Sequence, residues 1–321
     1  MVTTGKLIQI ELSAVIPVFN EAAGVAELRR RLGAALDALS LPYEILFVND
    51  GSSDNSPALL DHMAGHHTSV RVIHLSRNFG HQAALAAGLD YAQGHAVVVL
   101  DADLQDPPEL IPQLVAKWRE GYQVVYAQRL DRRGDPPTKR MFAWAYYRML
   151  RRLADITLPV DAGDFCLLDR QVVDLLIRMP ERNRYIRGLR AWVGFRQTAV
   201  PFERAKRHVG EVKYTFRKSL GLALNGIFSL STAPLRAATW LGLAISAGSF
   251  ILAIWAIYQK LSGHFTVPGW ASTVVIVLFL GGVQLLTIGV IGEYLGRVYD
   301  EVKQRPLYVI SRVVEPPGDR P

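Results

Sequence analysis

Two long stretches without charge near the C-terminus constrain this 321-residue chain more than any other feature. Between residues 237 and 259 there is no Asp, Glu, Lys or Arg, and after Lys260 the next such residue is Glu293. About 20 consecutive apolar residues make a helix that crosses a hydrocarbon core of about 30 Å. Within that core a helix can satisfy all of its own backbone polar groups. Two spanning helices are therefore expected, over residues 235–258 and 271–294 of a hairpin covering 235–297. Lys260, Pro268 and Gly269 lie in the connecting loop. A buried helical hairpin of a soluble core is the competing reading, although core helices seldom run this long without a charge.

Basic residues crowd both flanks: Arg204, Lys206, Arg207, Lys213, Arg217, Lys218 and Arg236 before the first span, and Arg297, Lys303, Arg305 and Arg312 after the second. The loop between offers only Lys260. The positive-inside rule then puts the bulk of the protein and both termini on the cytoplasmic side of the cell membrane, as a multi-pass protein. Lys6 is followed by an apolar run broken by Gln9 and Glu11 with no small-residue cleavage pattern, so no signal peptide is expected. Leu220, Leu224, Ile227 and Ser231, with Phe228, recur at helical spacing and suggest an amphipathic juxtamembrane helix over 218–234. Periodicity alone fits equally well a helix packed on the soluble domain.

Composition narrows the rest. With 50% hydrophobic and 20% charged residues the chain is too apolar to be disordered. The single cysteine, Cys166, excludes a disulfide framework and multi-cysteine metal sites. A net charge of +7 favours a partner bearing phosphate or an anionic membrane surface, without choosing between them.

Upstream of the hairpin, β-rich runs (12–18, 43–48, 70–75, 96–100, 123–127) alternate with helical ones (22–39, 56–63, 82–91, 108–120). Apolar strands separated by helices predict an α/β domain with a mainly parallel sheet. Ligands of such sheets bind beyond the carboxyl ends of the strands, and acids stand there. Asn20 and Glu21 follow the first strand, Asn49, Asp50 and Asp54 the second, and Asp101, Asp103 and Asp106 the fourth. There is no Walker A and no G-x-G-x-x-G sequence. The Asp101–Asp106 run lacks the glycine of an EF-hand loop. Two carboxylates one residue apart at a strand end are suited to share a hard divalent cation with substrate phosphate.

Several segments, in order, resemble the inverting family-2 glycosyltransferases of GT-A fold, and within them the polyprenyl-phosphate glycosyltransferases. They are Val15-Ile16-Pro17-Val18-Phe19-Asn20-Glu21, Val48-Asn49-Asp50-Gly51-Ser52-Ser53-Asp54, Arg77-Asn78-Phe79-Gly80, Asp101-Ala102-Asp103-Leu104-Gln105-Asp106, Asp161-Ala162-Gly163-Asp164-Phe165 and the run from Arg182 to Gly188. Gly292-Glu293-Tyr294-Leu295-Gly296-Arg297 closes the series.

The resemblance implies a GT-A catalytic domain over 1–217, followed by the juxtamembrane helix, the hairpin and a cytoplasmic tail over 298–321. It implies a donor site of Pro17, Phe19, Glu21, Asp50, Asp101, Ala102, Asp103 and Arg129. Mg²⁺ or Mn²⁺ would be held by Asp101 and Asp103 with Gln105. The acceptor phosphate would meet Arg140, Arg207 and Lys213, and Asp103, Asp164 and Arg207 would be catalytic. The reaction implied moves one sugar from a nucleotide diphosphate sugar, UDP-glucose first among donors, to polyprenyl phosphate (undecaprenyl or dolichyl). Asn49 stands where the family usually carries an acid, and Cys166 where relatives often carry Arg. Cys166 is read as a small buried hydrophobe.

His62 and His66, one helical turn apart, lack a third ligand. Gly292 and Gly296 permit close helix packing and a homo-oligomer, and Glu293 is expected to pair with Arg297. Beside the bilayer and the two substrates, no nucleic acid partner is expected. A processive polysaccharide synthase and a non-catalytic nucleotide-binding membrane scaffold are the competing functions. Neither fits as well, since the synthase Gln-x-x-Arg-Trp motif is absent and the acid series is intact.

Overall fold

The computed structural model describes residues 10–130, 162–179, 181–182, 184, 186–202, 232–262 and 269–317. The amphipathic segment at 218–234 and the basic residues between 132 and 152 fall almost wholly outside them.

The chain divides into two units. In the first, the described residues form an eight-stranded sheet: β1 (Leu12–Val18), β2 (Tyr43–Asn49), β3 (Val70–Leu75), β4 (Ala96–Val99), β5 (Val124–Arg129), β6 (Ala162–Asp169), β7 (Gln197–Phe202) and β8 (Ile310–Val314). The order across the sheet is β7-β5-β6-β4-β1-β2-β3-β8. β1 pairs in parallel with both β2 and β4, β2 with β3, and β5 with β7, whereas β6 and β8 run antiparallel to their neighbours. Since β6 is antiparallel to both β4 and β5, six strands share one direction, and the sheet is mainly parallel as expected.

Helices cover both faces, which is why the central strands read as unbroken apolar runs. Ala14, Ile16, Val18, Ile45, Phe47, Val98 and Leu100 face one side, together with α1 (Val25–Asp37), α2 (Ser56–His66) and α4 (Ile111–Arg119). Val15, Leu46, Val48, Ile73, Val97 and Val99 face the other, against α3 (His81–Tyr91), α5 (Arg170–Arg178) and α6 (Ile186–Trp192). Along α1, Val25, Leu28, Leu32 and Leu36 recur at helical spacing and are fully buried. Each such side chain contributes about 1.5–3 kcal/mol of burial. Asp169 ends β6 and caps α5, its Oδ1 accepting from the Gln171 amide at 2.9 Å. Its Oδ2 accepts from the Trp118 indole at 2.7 Å, which fastens α4 to the same corner.

Within the expected tail over 298–321, the described residues 298–317 take a different course. The helix beginning at Trp270 continues to Lys303, and residues 310–314 return to the sheet as β8. Ser76 N donates to Val309 O at 2.8 Å, Ser311 Oγ to His74 O at 3.0 Å, and Arg71 forks onto Glu315 through Nε at 2.8 Å and Nη2 at 3.1 Å. Tyr308 donates to Asp90. β8 so covers the edge of β3, which would otherwise present unpaired backbone groups.

The second unit contains α7 (Ala233–Leu261) and α8 (Trp270–Lys303). At 1.5 Å per residue they are about 44 and 51 Å long, and both are long and apolar enough to cross a membrane. Trp240, Phe250, Ile251, Trp255, Phe279 and Leu286 stand exposed on them. Gly242, Ser246 and Ser249 of α7 line a groove with Val283, Gln284 and Thr287 of α8. Thr287 Oγ1 is satisfied by Val283 O at 2.9 Å, and the expected Glu293–Arg297 pair forms at 3.0 Å.

Candidate active site

Strands β2 and β3 lie on one side of β1 and β4 on the other, so the strand order reverses between β1 and β4. A crevice opens at the carboxyl ends of the strands where the order reverses. The residues after β1, β2 and β4, which are the acid-bearing segments, meet there.

The turn after β1 is knit to the loop after β2. Asn20, at φ 57°, accepts from Ser53 N through Oδ1 at 2.8 Å, while its own amide donates to Ser52 Oγ at 3.0 Å. Glu21 N donates to Ser56 Oγ at 3.1 Å and Ala22 N to Asp54 Oδ2 at 3.1 Å. Burial would raise the Asp54 carboxyl, but the Ser56 and Ala22 donors outweigh it and the pKa falls. Pro17 is buried in β1, and Phe19 just beyond it is 47% exposed. An exposed aromatic beside a carboxylate at the carboxyl end of a central strand offers a stacking face and acceptors for hydroxyls.

Asp50 is occupied internally. Its Oδ1 accepts from Phe79 N at 2.7 Å and its Oδ2 from Gly80 N at 3.0 Å, while Asn78 Nδ2 reaches Asp50 O at 3.2 Å. Burial raises its pKa, and the two amides oppose that rise. The carboxylate thus pins the 77–80 turn against the β2 loop. Gly51, at φ +64°, sits where a Cβ would come within 2.4 Å of Arg77 C, so only glycine allows the approach.

Asp101 leads the turn after β4, and its Oδ1 is buried without a hydrogen-bond partner. Burial, together with the charges of Asp164, Asp106 and Asp103 and against that of His81, pushes its carboxyl up to about 6. Ala102 is buried. Asp103 Oδ1 accepts from Gln105 N at 3.1 Å across Leu104 at φ 59°, so Gln105 contributes its backbone to that turn. Buried Asp106 stands 3.8 Å from the Arg129 guanidinium at the end of β5.

Antiparallel β6 carries Asp164 to the same end of the sheet. The carboxylate is 7% exposed and grips Arg187 of α6 with two bonds, Nε to Oδ1 at 2.7 Å and Nη2 to Oδ2 at 2.8 Å. His81, the first residue of α3, reaches Asp164 Oδ2 at 3.4 Å and Asp101 Oδ1 at 3.6 Å. Burial would raise Asp164, but Arg187 and then His81 hold it well below the ordinary carboxylate range. Burial would lower His81, but the Asp164 contact and the Asp101 charge leave its pKa raised.

The donor atoms of His81, Asp101 and Asp164 all lie within 4.8 Å of one another, so one cation reaches all three. With the unpartnered Asp101 oxygen, this set fits a divalent metal. It shares Asp101 with the expected set of Asp101, Asp103 and Gln105, and it gathers His81 and Asp164 around that residue.

Sequence reasoning gave His81 no role and left Arg187 within a motif without a partner. The signal for His81 was its position directly after Arg77-Asn78-Phe79-Gly80. Arg140, Arg207 and Lys213 lie outside the described residues. Cys166 is buried, and burial pushes its thiol up against the pull of buried Arg190.

A mainly parallel α/β sheet whose acids converge at the strand reversal is the arrangement of a GT-A type domain. Residues 13–176 match the family described as Glycosyl transferase family 2, to which the chain belongs, and it is a glycosyltransferase. It is 48% identical over 303 residues to the uncharacterized glycosyltransferase YkcC of Bacillus subtilis, covering 94% of each chain. It is 41% identical over 303 residues to the bactoprenol glucosyl transferase of Shigella phage SfII, covering 94% of this chain and 98% of the relative. With the prophage bactoprenol glucosyl transferase homolog of Escherichia coli the identity is 40% over 304 residues, covering 95% and 99%.

Proposed function

We propose that the protein transfers one sugar from a nucleotide diphosphate sugar, with UDP-glucose the favoured donor, to polyprenyl phosphate at the cytoplasmic membrane face, inverting the anomeric centre. One observation carries the reading. Asp101 and Asp103 follow β4 at the strand reversal, with an unpartnered Asp101 oxygen beside the Asp164–Arg187 pair. Bactoprenol is a polyprenol and the named relatives are glucosyl transferases, which supports both the lipid acceptor and glucose.

In this reading Pro17, Phe19 and Glu21 border the base and ribose. Asp50 acts through the 77–80 turn that it holds. Asp101, Asp103, Gln105 and the neighbouring His81 and Asp164 surround the place of Mg²⁺ or Mn²⁺. When bound, that cation offsets charge developing on the leaving diphosphate. Arg129 approaches the donor phosphates from β5.

A phosphate monoester has its second pKa near about 6, so the acceptor is already largely an anionic nucleophile at neutral pH. Asp164, kept ionised by Arg187 and with both oxygens engaged, is a poor proton acceptor. It orients Arg187 and the metal surround instead of acting as a base. Arg140, Arg207 and Lys213 are proposed to hold the lipid phosphate in line.

Residues 1–217, joined by β8 from 310–314, form the catalytic domain in this reading. The 218–234 segment lies at the interface, and the two long helices anchor the protein in the bilayer, with Gly292 and Gly296 available for self-association.

The test is to incubate the purified protein with Mg²⁺ or Mn²⁺, polyprenyl phosphate and a panel of labelled nucleotide sugars. Label should enter the organic phase, and mass spectrometry should find a single hexose on the lipid phosphate. If no donor labels the lipid, the proposal fails. Label retained in polymer would point to the processive synthase.

A further inference from the structure

Asn49, His74 and Arg312 stand side by side on the sheet. Asn49 of β2 is in register with His74 of β3, and His74 with Arg312 of β8. The first two lie on the face covered by α2, whose Asp61 reaches down onto the row. Asn49 and His74 are each 4% exposed, so every polar atom they carry needs a partner.

Those partners form one directed chain. Arg312 donates to Asp61 Oδ2. Asp61 Oδ1 lies 2.8 Å from His74 Nε2, and His74 Nδ1 lies 3.0 Å from Asn49 Nδ2. Asn49 Oδ1 accepts from Ser52 N at 3.0 Å. An ionised carboxylate only accepts, so the ring proton sits on Nε2 and leaves Nδ1 as a lone pair. The asparagine must then turn its NH₂ to that lone pair, which leaves its carbonyl for the Ser52 amide. A negative charge on α2 thus fixes which way an amide points two groups away. An acid at position 49 could make the same contact only if the ring took a second proton at Nδ1, whereas asparagine bonds the neutral ring, which gives it a physical reason to occupy this position.

The loop so fixed is the one knit to Asn20, between Phe19 and Glu21. We infer that Asp61, His74 and Arg312 are positioning residues for the nucleotide half of the donor site, acting through Asn49 on the 51–53 loop. Through this relay the strand that follows the membrane hairpin in sequence acts on donor binding. The inference rests on the donor-site reading above.

The experiment uses the full-length protein, with UDP as the probe. In Asp61→Ala, hydrogen exchange at the Ser52 amide should rise about tenfold. UDP should bind about tenfold more weakly, with the donor KM raised to match and kcat little changed. Asp61→Asn keeps an acceptor for His74 and should restore most of the affinity. Arg312→Ala, at a half-exposed side chain, should show the same effects more weakly and covers the case in which Asp61→Ala misfolds. Unchanged Ser52 exchange in a folded variant overturns the relay, as does faster exchange with unaltered UDP affinity. If the wild-type protein binds no nucleoside diphosphate, the donor-site reading falls, while Ser52 exchange still decides whether the relay exists.

Discussion

Arg187 and Asp164 meet through two parallel hydrogen bonds, Nε to Oδ1 at 2.7 Å and Nη2 to Oδ2 at 2.8 Å, although 23 residues separate them in the chain. The fork joins a helix on one face of the sheet to a strand that runs against its neighbours. It sits beside His81, which bridges Asp164 and Asp101, and it keeps Asp164 ionised within that cluster.

Removing Arg187 leaves Asp164 with His81 alone to offset its charge. Breaking a fully buried pair costs about 3–5 kcal/mol. The Arg187 side chain is 33% exposed, so Arg187→Ala should cost about 2 kcal/mol. The check is a denaturant midpoint, with Asp164→Asn/Arg187→Gln recovering stability but not sugar transfer.

Asp101→Asn and Asp103→Ala should each lower kcat by about 10²–10³-fold, the usual scale for losing one preorganised electrostatic element. Chelation with EDTA should abolish transfer, and Mn²⁺ or Mg²⁺ should restore it. Mn²⁺ binding followed by electron paramagnetic resonance should weaken in Asp101→Asn and in His81→Ala. Unchanged Mn²⁺ affinity in Asp101→Asn would remove that residue from the metal surround.

Acid should act on the His74–Asp61 row in two stages. Burial lowers His74 below its ordinary value against the pull of Asp61. A group depressed on folding stabilises above its unfolded pKa, so this contribution fades as pH drops below about 6.5. Burial would raise Asp61, but Arg312 and His74 more than reverse that, and its pKa is lowered. Its contribution is therefore present above about 3.9 and is lost below that pH. Thermal midpoints measured from pH 8 to 3 should decline in both windows, with His74→Gln flattening the first limb and Asp61→Asn the second.

Gly88→Ala tests the seating of α3 on the sheet. A Cβ there would lie 2.2 Å from Val15 Cγ1 and 3.2 Å from Val48 Cγ2. The helix must shift off β1 and β2, at a cost of about 1–3 kcal/mol. Because His81 heads the same helix, transfer activity should fall along with the thermal midpoint.

The strands of the central sheet were legible because covered parallel strands are unbroken apolar runs. The span expected at 12–18 is β1 to the residue, and the one expected at 70–75 is β3. The positions of Asp101 and Asp103 after an apolar strand were legible for the same reason. His81 was not, since its role exists only where the start of α3 meets the ends of β4 and β6. β8 was hidden differently: Ile310 to Val314 is a five-residue run with no regular alternation, and its partner β3 lies more than two hundred residues earlier. Arg187 was named within a motif, yet nothing local ties it to Asp164.

The placement of β8 also sets an order of construction. Strands β1 to β7 leave the ribosome before the two long apolar helices, and β8 leaves after both. The edge of β3 therefore stays open throughout synthesis of the hairpin and closes only once residues 310–314 have emerged. A nascent chain stalled between the helices and residue 310 would display an unpaired strand to chaperones and proteases, whereas a finished one hides it. Emergence of β8 thereby becomes a step in folding the catalytic domain.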